Sequence, residues 1–462
     1  MLIGGNGDVP QDDGIDIGHG QFLPRVGLAY RLYPTTVIRV GYGMSADPNN
    51  WRYFRNAYPS AVISNNAVPN SSSYIPIASL TGTNGTALGS GSYPVPTGLV
   101  NIPPPNISSG VIPLPTTAST TTIPNPFNRG FINSYNLTFE QQYKQFILQI
   151  GYVGAYDVRP LVNMNINASP PGKGAAGGLL STSLGKVYTG TINSLTPFKN
   201  SSYNSMQTKV TRLVSNGSSF GFVWTWSKAL DYESNEELNS LSFPYPTYWQ
   251  KNYGPASFDR GQNFEIYGVF QLPFGKGQRW VTSGVGNQIL GGWQVSTVIS
   301  YMTGAPFTVT GASGPLNANG SIQTADLVGA YNQIGGQPLR TGQTCTATNL
   351  SCHFFNPTAF AAPVITSNAN AHYGNTNRDE FRGPSFFNMN LSIAREFKLT
   401  ERFSLQAKAD AISFTNTPHF ANPNSACCGA NFGVITATLS PGGFFGPDSG
   451  ARTVWLGLHL AF

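Results

Sequence analysis

Extended segments in which every second residue is large and apolar recur along most of this chain. The last twelve residues, ARTVWLGLHLAF, place Val454, Leu456 and Leu458 on one side and Trp455 and His459 on the other. This alternation indicates a β-strand with one apolar face, because successive side chains of a strand point to opposite sides. Helical periodicity is nearly absent, so the sequence predicts an all-β protein.

The pattern predicts about eleven strands along the chain. Most of them run for roughly 9 to 14 residues, whereas strands of soluble sheets average about five or six and a tilted strand needs about 9–11 to cross a bilayer. The lengths therefore favour a membrane-spanning sheet. The strands are predicted to begin near Arg25, Thr36, Gly130, Gln145, Ser202, Ser218, Gly261, Gly291, Phe386, Arg402 and Arg452.

The connectors between these strands alternate between short and long. The short ones contain YPT, QYK, SNG and LTE, and only LPFGKGQRWVTSGVGNQILGG is of intermediate length. Outer-membrane barrels have short turns on one rim and long loops on the other, and a closed barrel leaves no backbone unpaired in lipid. We therefore predict an antiparallel transmembrane β-barrel fold. Its long loops, rich in Pro, Gly, Ser, Thr and Asn, should share one rim and cover residues 47–129, 160–200, 231–258, 311–385 and 416–450.

Composition agrees with this prediction and excludes other classes. Only 10% of the residues are charged, compared with about 25% in an ordinary soluble domain. The net charge of +6 comes from dispersed residues, so the sequence contains no basic stripe for nucleic acid. No apolar run is long enough for a transmembrane helix.

Several segments resemble the TonB-dependent outer-membrane transporters, in particular their Oar-like β-barrel subgroup. The resemblance rests on FLPRVGLAYRLYPTTVIRVGYG, on LGGWQVSTVISYMTGAPFTVTG, on FRGPSFFNMNLSIAREFKLTERFSLQAKADAISFTNTPHFANP and on the closing strand. It implies a barrel of about 22 strands filled by an N-terminal plug. It also implies a TonB box that couples transport to energy, and a terminal phenylalanine, Phe462, that the barrel assembly machinery reads.

This chain departs from that pattern at its N-terminus. The opening residues, MLIGGNGDVPQDDG, have neither the basic nor the apolar region of a secretory signal. We therefore expect residues 21–462 to be the C-terminal portion of the barrel, with about eleven of about 22 strands. Residues 1–20 are expected to be disordered or a loop remnant, and the signal peptide, the plug and the TonB box are expected to be missing.

The resemblance implies an outer-membrane protein of a Gram-negative bacterium that binds and imports a bulky solute. Its expected partners are outer-membrane lipid, the barrel assembly machinery, an unknown extracellular solute and, only through the missing plug, the TonB complex. No nucleic acid partner, no cofactor and no enzymatic activity are expected. Two alternatives remain at this point: a passive porin or adhesin-type barrel, and a secreted all-β carbohydrate-binding protein.

Aromatic residues of the long loops are the candidate ligand contacts. They can stack on a solute at the mouth of the barrel, or they can pack the loops together. The candidates are Trp51, Tyr53, Tyr245, Tyr248 and Trp249.

The four cysteines fall in predicted loops. An oxidising compartment favours disulfides, so we predict a bridge between Cys345 and Cys352. The sequence leaves open whether Cys427 and Cys428 pair with each other or remain free. No catalytic motif and no recognised spacing of metal ligands is present.

Overall fold

The computed structural model describes residues 20–47, 126–234, 243–334, 350–439 and 449–462, apart from positions 216 and 401, with short pieces between 5 and 11 and between 106 and 124. One antiparallel sheet dominates, and its eleven strands lie side by side in chain order. They are β1 (Arg25–Tyr33), β2 (Thr36–Ala46), β3 (Phe131–Tyr143), β4 (Phe146–Val158), β5 (Asn200–Ser215), β6 (Ser218–Asp231), β7 (Gln262–Gln271), β8 (Trp293–Met302), β9 (Phe386–Lys398), β10 (Ser404–Ile412) and β11 (Thr453–Ala461).

The sheet confirms the predicted strands and is open at both sides. Every strand begins within two residues of its predicted start. Among the described residues, β1 pairs only with β2 and β11 pairs only with β10. A two-residue strand, Gly254–Pro255, extends the sheet beside β6. Because eleven strands alternate in direction, the two edge strands run the same way.

One face of the sheet is apolar across all eleven strands. Directly opposite residues of an antiparallel pair share a face, and the register places Trp224 opposite Phe264 and Leu456 opposite Ala409. We call this surface the apolar face. It includes Val40, Leu137, Ile150, Val210, Phe222, Trp224, Phe264, Ile299, Leu391 and Leu456.

The opposite side, the polar face, carries most of the charged side chains of the strands. Arg39 forms an ion pair with Glu140 at 2.8 Å, and Lys408 forms one with Asp410 at 2.9 Å. His459 lies directly opposite Gln406 on this face. The sequence therefore predicted correctly which side chains share a face, since that follows from the alternation once the strands pair.

The connectors separate by length onto two rims, as predicted. Consecutive strands are antiparallel neighbours, so successive connectors lie at alternate ends of the sheet. Phe462, which follows β11, lies at the short-turn rim. The short-turn rim carries residues 34–35, 144–145, 216–217, 272–292 and 399–403. The long-loop rim carries the described ends of the connectors 47–130, 159–199, 232–261, 303–385 and 413–452.

Most of the buried apolar side chains of the described residues belong to the long loops and not to the sheet. Phe307, Phe355, Phe360, Phe381 and Phe432 form the centre of one buried cluster. Phenylalanine pairs within it meet at centroid distances of 5.1 to 6.0 Å, typical of attractive ring packing. The loops on this rim therefore fold over a core of their own.

Short elements organise these loops. Small strands pair within them, as Pro306–Phe307 does with Phe381–Arg382 and Thr310–Gly311 with Gln323–Thr324. The other short strands are Thr120–Thr122, Leu161–Asn165, Ile192–Pro197, Asp326–Leu327 and Phe360–Ala361. The described helices are α1 (Leu179–Leu184), α2 (Gly284–Leu290) and α3 (Ser313–Leu316), with 3-10 turns at Ala175–Gly177, Pro246–Asn252, Leu350–Cys352, Pro357–Ala359 and Asn368–Asn370. None of the helices in the described residues has the length and apolarity needed to cross a membrane.

The two faces make a testable prediction about substitutions in β11. Leu456 is 82% exposed on the apolar face, and a charge on a lipid-facing side chain near mid-membrane costs about 2–4 kcal/mol. Leu456→Arg should therefore reduce the fraction of folded protein in the membrane. His459→Arg, the matched control on the polar face, should have a smaller effect. Heat-modifiable migration of membrane fractions in electrophoresis measures both, and the reverse ranking would mean that the faces are inverted.

Candidate ligand-binding cleft on the long-loop rim

Three long loops meet around a cleft of about 610 Å³ on the long-loop rim. Pro170 and Pro171 come from residues 159–199, Tyr248 and Lys251 from residues 232–261, and residues 371–377 from the next loop. Loops are the usual place for binding residues, because a rigid scaffold positions them while their sequence varies. The cleft is therefore the candidate site.

The segment 245–252 forms one wall of the cleft, and its local sequence explains its shape. Pro246 begins the 3-10 turn Pro246–Asn252, where its fixed φ suits a first helical position. The buried amide of Asn252 accepts from the Tyr245 backbone N–H at 3.1 Å and donates to the Tyr245 carbonyl at 3.0 Å. Asparagine commonly replaces a backbone partner in this way, so the two ends of the turn are tied together.

Two tyrosines form an aromatic surface in the cleft. Tyr248 is 51% exposed and stacks on Tyr373 with ring centroids 6.2 Å apart and planes 19° apart. The hydroxyl of Tyr373 donates to Ser321 at 2.9 Å, which fixes its ring. Tyr245 is only 1% exposed and packs edge-on against Tyr373 at 5.6 Å. Tyr245 thus supports the surface from below, and Tyr248 presents it to solvent.

Lys251 joins two of the loops beneath this surface. Its buried ammonium donates to the carbonyls of Gly374, at 2.7 Å, and Thr376. Burial lowers the pKa of Lys251 to about 8, against the effect of the Glu380 and Asp326 carboxylates, which raise it. Its hydrogen bonds fix the backbone that follows Tyr373, so Lys251 holds the cleft together.

Two arginines reinforce the same junction. The guanidinium of Arg378 donates to the Asn252 carbonyl at 2.7 Å, to Asp379 at 3.0 Å and to the carboxylate of Asp231 at the end of β6. Arg382 forms an ion pair with Asp259, which is itself buried. A buried guanidinium needs several acceptors to offset the loss of water. Removing one partner of these networks would leave an uncompensated charge.

A buried carboxyl group lies beside this network. Glu233 accepts from the backbone N–H of Asn163 at 2.8 Å. Burial raises its pKa to about 8, against the effects of the Asn163 N–H and of the Arg378 guanidinium, which lower it. Glu233 therefore remains largely protonated at neutral pH.

Trp249 packs loops together. Its ring lies edge-on to Phe198 at 5.8 Å and near Tyr232 at 5.9 Å. The ammonium of Lys199 sits 4.6 Å from the centre of the same ring, a favourable cation–π arrangement. Of the predicted ligand contacts, the structure thus places Tyr248 in the cleft and Tyr245 and Trp249 in loop packing, whereas Trp51 and Tyr53 lie outside the described residues.

The three cysteines of the described residues take part in disulfides. Cys427 and Cys428 are paired with each other. Cys352 is also disulfide-bonded and buried. Its predicted partner, Cys345, lies outside the described residues, so that pairing stays a prediction.

Sequence reasoning missed Tyr373, Lys251 and Arg378, although one signal was available. In a chain with few charges, the stretch RDEFR places four charged residues at positions 378–382 of the loop 303–385, whose other Asp and Arg residues are Asp326 and Arg340. Charges retained in such a loop indicate specific partners, because buried or half-buried charges are paired.

The side chains of the cleft are suited to non-covalent binding of a solute. An exposed ring can stack on a flat apolar surface of a solute, and the amide side chains of Asn375 and Asn377 offer donors and acceptors beside it. Among the described residues, no group of three His, Cys, Asp or Glu side chains is placed to hold a metal ion.

Comparisons with known proteins complete this description. A family model for the outer membrane beta barrel domain matches residues 1–454. The comparison with curated proteins found no match.

Solved structures similar to the chain include three outer-membrane proteins. The ferripyoverdine receptor of Pseudomonas aeruginosa bound to ferripyoverdine is 8% identical with a TM-score of 0.40, covering 96% of this chain and 33% of that one. The transporter YddB of Escherichia coli is 9% identical with a TM-score of 0.41, covering 92% and 38%. The ferric citrate transporter FecA is 8% identical with a TM-score of 0.39, covering 95% and 38%. The chain spans less than two fifths of the length of each, and likeness at this level carries no further argument.

The role of Lys251 can be tested by removing its ammonium. Lys251→Met leaves the carbonyls of Gly374 and Thr376 without their donor, and a buried unsatisfied polar group costs about 1–3 kcal/mol. Backbone amides of residues 370–380 should then exchange hydrogen faster, as measured by mass spectrometry. Lys173→Met, at an exposed lysine on the same rim, should leave this exchange unchanged. Equal exchange in the two variants would contradict the proposed role of Lys251.

The raised pKa of Glu233 predicts a pH dependence. Its folded pKa of about 8 lies above the ordinary value of 4.5, so the folded loop binds more protons than the unfolded loop between these values. The stability of the folded loop therefore falls as pH rises through this window and levels off above it. The equilibrium constant for local unfolding of the loop should rise by at most about tenfold per pH unit. The protection factor of the Asn163 amide should follow this trend.

The control for this measurement is Glu233→Gln, which keeps the shape of the side chain and cannot ionise. Its protection factor should stay level across the same pH range once the intrinsic exchange rate is divided out. A slope that persists in Glu233→Gln would assign the pH dependence to another group.

Proposed function

Because this chain belongs to the outer membrane β-barrel domain family, we propose that it is the C-terminal portion of a TonB-dependent receptor that binds and imports a bulky solute. The family places the chain in the outer membrane of a Gram-negative bacterium. The apolar face of the sheet then faces lipid, the long-loop rim faces the outside, and the short-turn rim faces the periplasm.

The observation that carries the binding role is the folded state of the long loops. They enclose a hydrophobic core, are joined by buried cations, and leave a cleft of about 610 Å³ beside the Tyr248–Tyr373 pair. Ligand sites typically occupy about 300–1,000 Å³ and are largely formed before the ligand arrives. Preformed loops lose less entropy on binding, which favours recognition over passive flow.

The number of strands supports the proposal that the chain is one portion of a larger barrel. Since β1 and β11 run in the same direction, an all-antiparallel barrel needs an odd number of further strands. A second set of eleven meets this condition and would complete a barrel of about 22 strands, the size of plugged outer-membrane transporters. Coupling to TonB through an N-terminal plug, and reading of Phe462 by the assembly machinery, belong to the same proposal.

Candidate solutes are oligosaccharides, peptides and metal chelates. A stacked tyrosine pair with amides beside it suits a solute that offers both a flat apolar surface and hydrogen-bonding groups. All three classes can present such a surface, so the test uses a panel of each.

The proposal predicts that Tyr248 contributes to binding. Loss of one aromatic contact removes about 0.5–1.5 kcal/mol, so Tyr248→Ala should weaken solute binding roughly two- to tenfold. Calorimetry with purified protein and the panel of solutes measures the change. Tyr143→Ala, at an exposed tyrosine beside the short-turn rim, is the matched control and should bind as the wild type does.

Transport is tested in cells that express the full-length protein. Uptake of a solute that binds should stop when TonB is deleted. Uptake that continues without TonB would instead indicate a passive porin, and binding without uptake would indicate an adhesin. Recovery of the protein in the soluble secreted fraction would favour the carbohydrate-binding alternative.

A further inference from the structure

The connector 272–292 differs from every other connector on the short-turn rim. The other four have two to five residues, whereas this one has 21 and contains α2. Its backbone is well tied: Gly275 donates to the Trp280 carbonyl at 3.0 Å, and Trp280 donates to the Pro273 carbonyl at 3.0 Å. Asn287 of α2 accepts from the backbone N–H of Lys276 at 2.9 Å. The connector is thus a small folded unit whose backbone is fixed by hydrogen bonds.

A close approach of two glycines holds this unit together. A Cβ on Gly275 would lie 2.8 Å from the Cα of Gly291, and one on Gly291 would lie 2.5 Å from the Asn287 carbonyl oxygen. Gly275 also has a φ of 116°, which other residues rarely adopt. The turn 273–280 therefore packs directly against the C-terminal end of α2.

Helix α2 lies at the edge of the apolar face. Trp293 and Arg395 are directly opposite each other on β8 and β9, and they share their face with Val295 and Ile393. The Trp293 indole donates to the Ile289 carbonyl at 2.9 Å, and the Arg395 guanidinium donates to the same carbonyl at 2.7 Å and to that of Gln288. A cation at the helix C-terminus is favourable, so α2 is held on the side of the sheet that faces lipid.

The exposed side of the connector is apolar and cationic. Val285 is 71% exposed and Ile289 is 61% exposed, and Trp280 and Leu290 are exposed as well. Residues 272–292 contain Lys276 and Arg279 and no acidic residue. The Arg279 guanidinium lies 5.5 Å from the centre of the Trp280 ring.

We propose that this connector is a membrane-surface anchor that binds the periplasmic leaflet of the outer membrane. The exposed apolar side chains of α2 enter the boundary between headgroups and acyl chains, and Lys276 and Arg279 contact lipid phosphates. The inference rests on the outer-membrane location of the sheet and goes beyond solute import.

Three observations select lipid as the occupant. The connector is continuous with the lipid-facing surface through Trp293 and Arg395. Its two cations suit the phosphates of an anionic lipid surface, and tryptophan is enriched at membrane interfaces. Amphipathic helices with these features lie in the interface plane with one side in the acyl boundary.

The first test measures where Ile289 lies. Within the described residues no cysteine is free, so a nitroxide label is attached to Ile289→Cys, and the unsubstituted protein is labelled in parallel to measure any reaction at other thiols. The folded protein is reconstituted into vesicles of phosphatidylethanolamine and phosphatidylglycerol. Oxygen partitions into lipid, whereas a nickel complex stays in water. The ratio of label collisions with oxygen to label collisions with the nickel complex should be several-fold higher at position 289 than at the control position, Gln145→Cys in the tight turn 144–145.

The outcomes are distinct. Equal ratios at the two positions would place Ile289 in water and overturn the proposal. Exclusion of both reagents from position 289 would mean that protein covers it, as a docked periplasmic partner would, and would overturn the proposal equally.

A second test needs no label and examines the contact with lipid directly. Brominated lipids quench nearby tryptophans, so Trp280→Phe should remove part of the quenching seen in the wild type, whereas Trp455→Phe, on the polar face, should remove little. Replacing phosphatidylglycerol by phosphatidylcholine removes the anionic headgroups. This exchange should lower the quenching of Trp280 in the wild type, and it should leave the quenching unchanged in the double variant Lys276→Gln/Arg279→Gln, which lacks the two cations. Quenching that is unaffected by Trp280→Phe would refute the anchor.

Discussion

The need to pair every backbone N–H and C=O within a bilayer underlies the whole arrangement. An unpaired group in hydrocarbon costs several kcal/mol, so only helices and closed sheets cross membranes. Here backbone hydrogen bonds join the strands of the sheet from β1 to β11, with each strand bonded to its neighbours in the chain. The two open edges are the only places where the described ladder stops.

Because of this constraint, the hydrophobic core of the described residues lies outside the sheet. The apolar face is directed at lipid and the polar face at the interior of the barrel, and most buried apolar side chains of the described residues lie outside the strands. The buried aromatic cluster instead forms among the long loops, around Phe355 and Phe360. These loops thus stabilise themselves by apolar packing, which gives the cleft around Tyr248 a rigid base.

Charge is used sparingly and in specific places. On the polar face, Arg39 and Lys408 have carboxylate partners. In the loops, Lys251 and Arg378 bind backbone carbonyls of a neighbouring loop, so they connect segments that are distant in sequence. On the short-turn rim, Arg395 binds the end of α2 on the lipid-facing side. Each of these five cations therefore fixes a loop to a neighbouring segment or pairs with a carboxylate in the sheet.

The sequence alone determined the strands, their faces and the separation of the rims. These features depend on local alternation and on connector length, because a strand's two faces follow directly from its residue pattern. The alternation at Leu456 and His459 and the tight turn at 144–145 are examples.

Only the tertiary structure decided which loop residues share a site. Tyr373 meets Tyr248, and Lys251 meets Thr376, over more than a hundred residues of sequence. The aromatic candidates could not be sorted beforehand, since Tyr245 and Tyr248 lie in the same short stretch and differ only in burial. The sequence of a loop has no period from which its contacts can be predicted, because irregular segments pack through individual side chains and not through a repeating pattern.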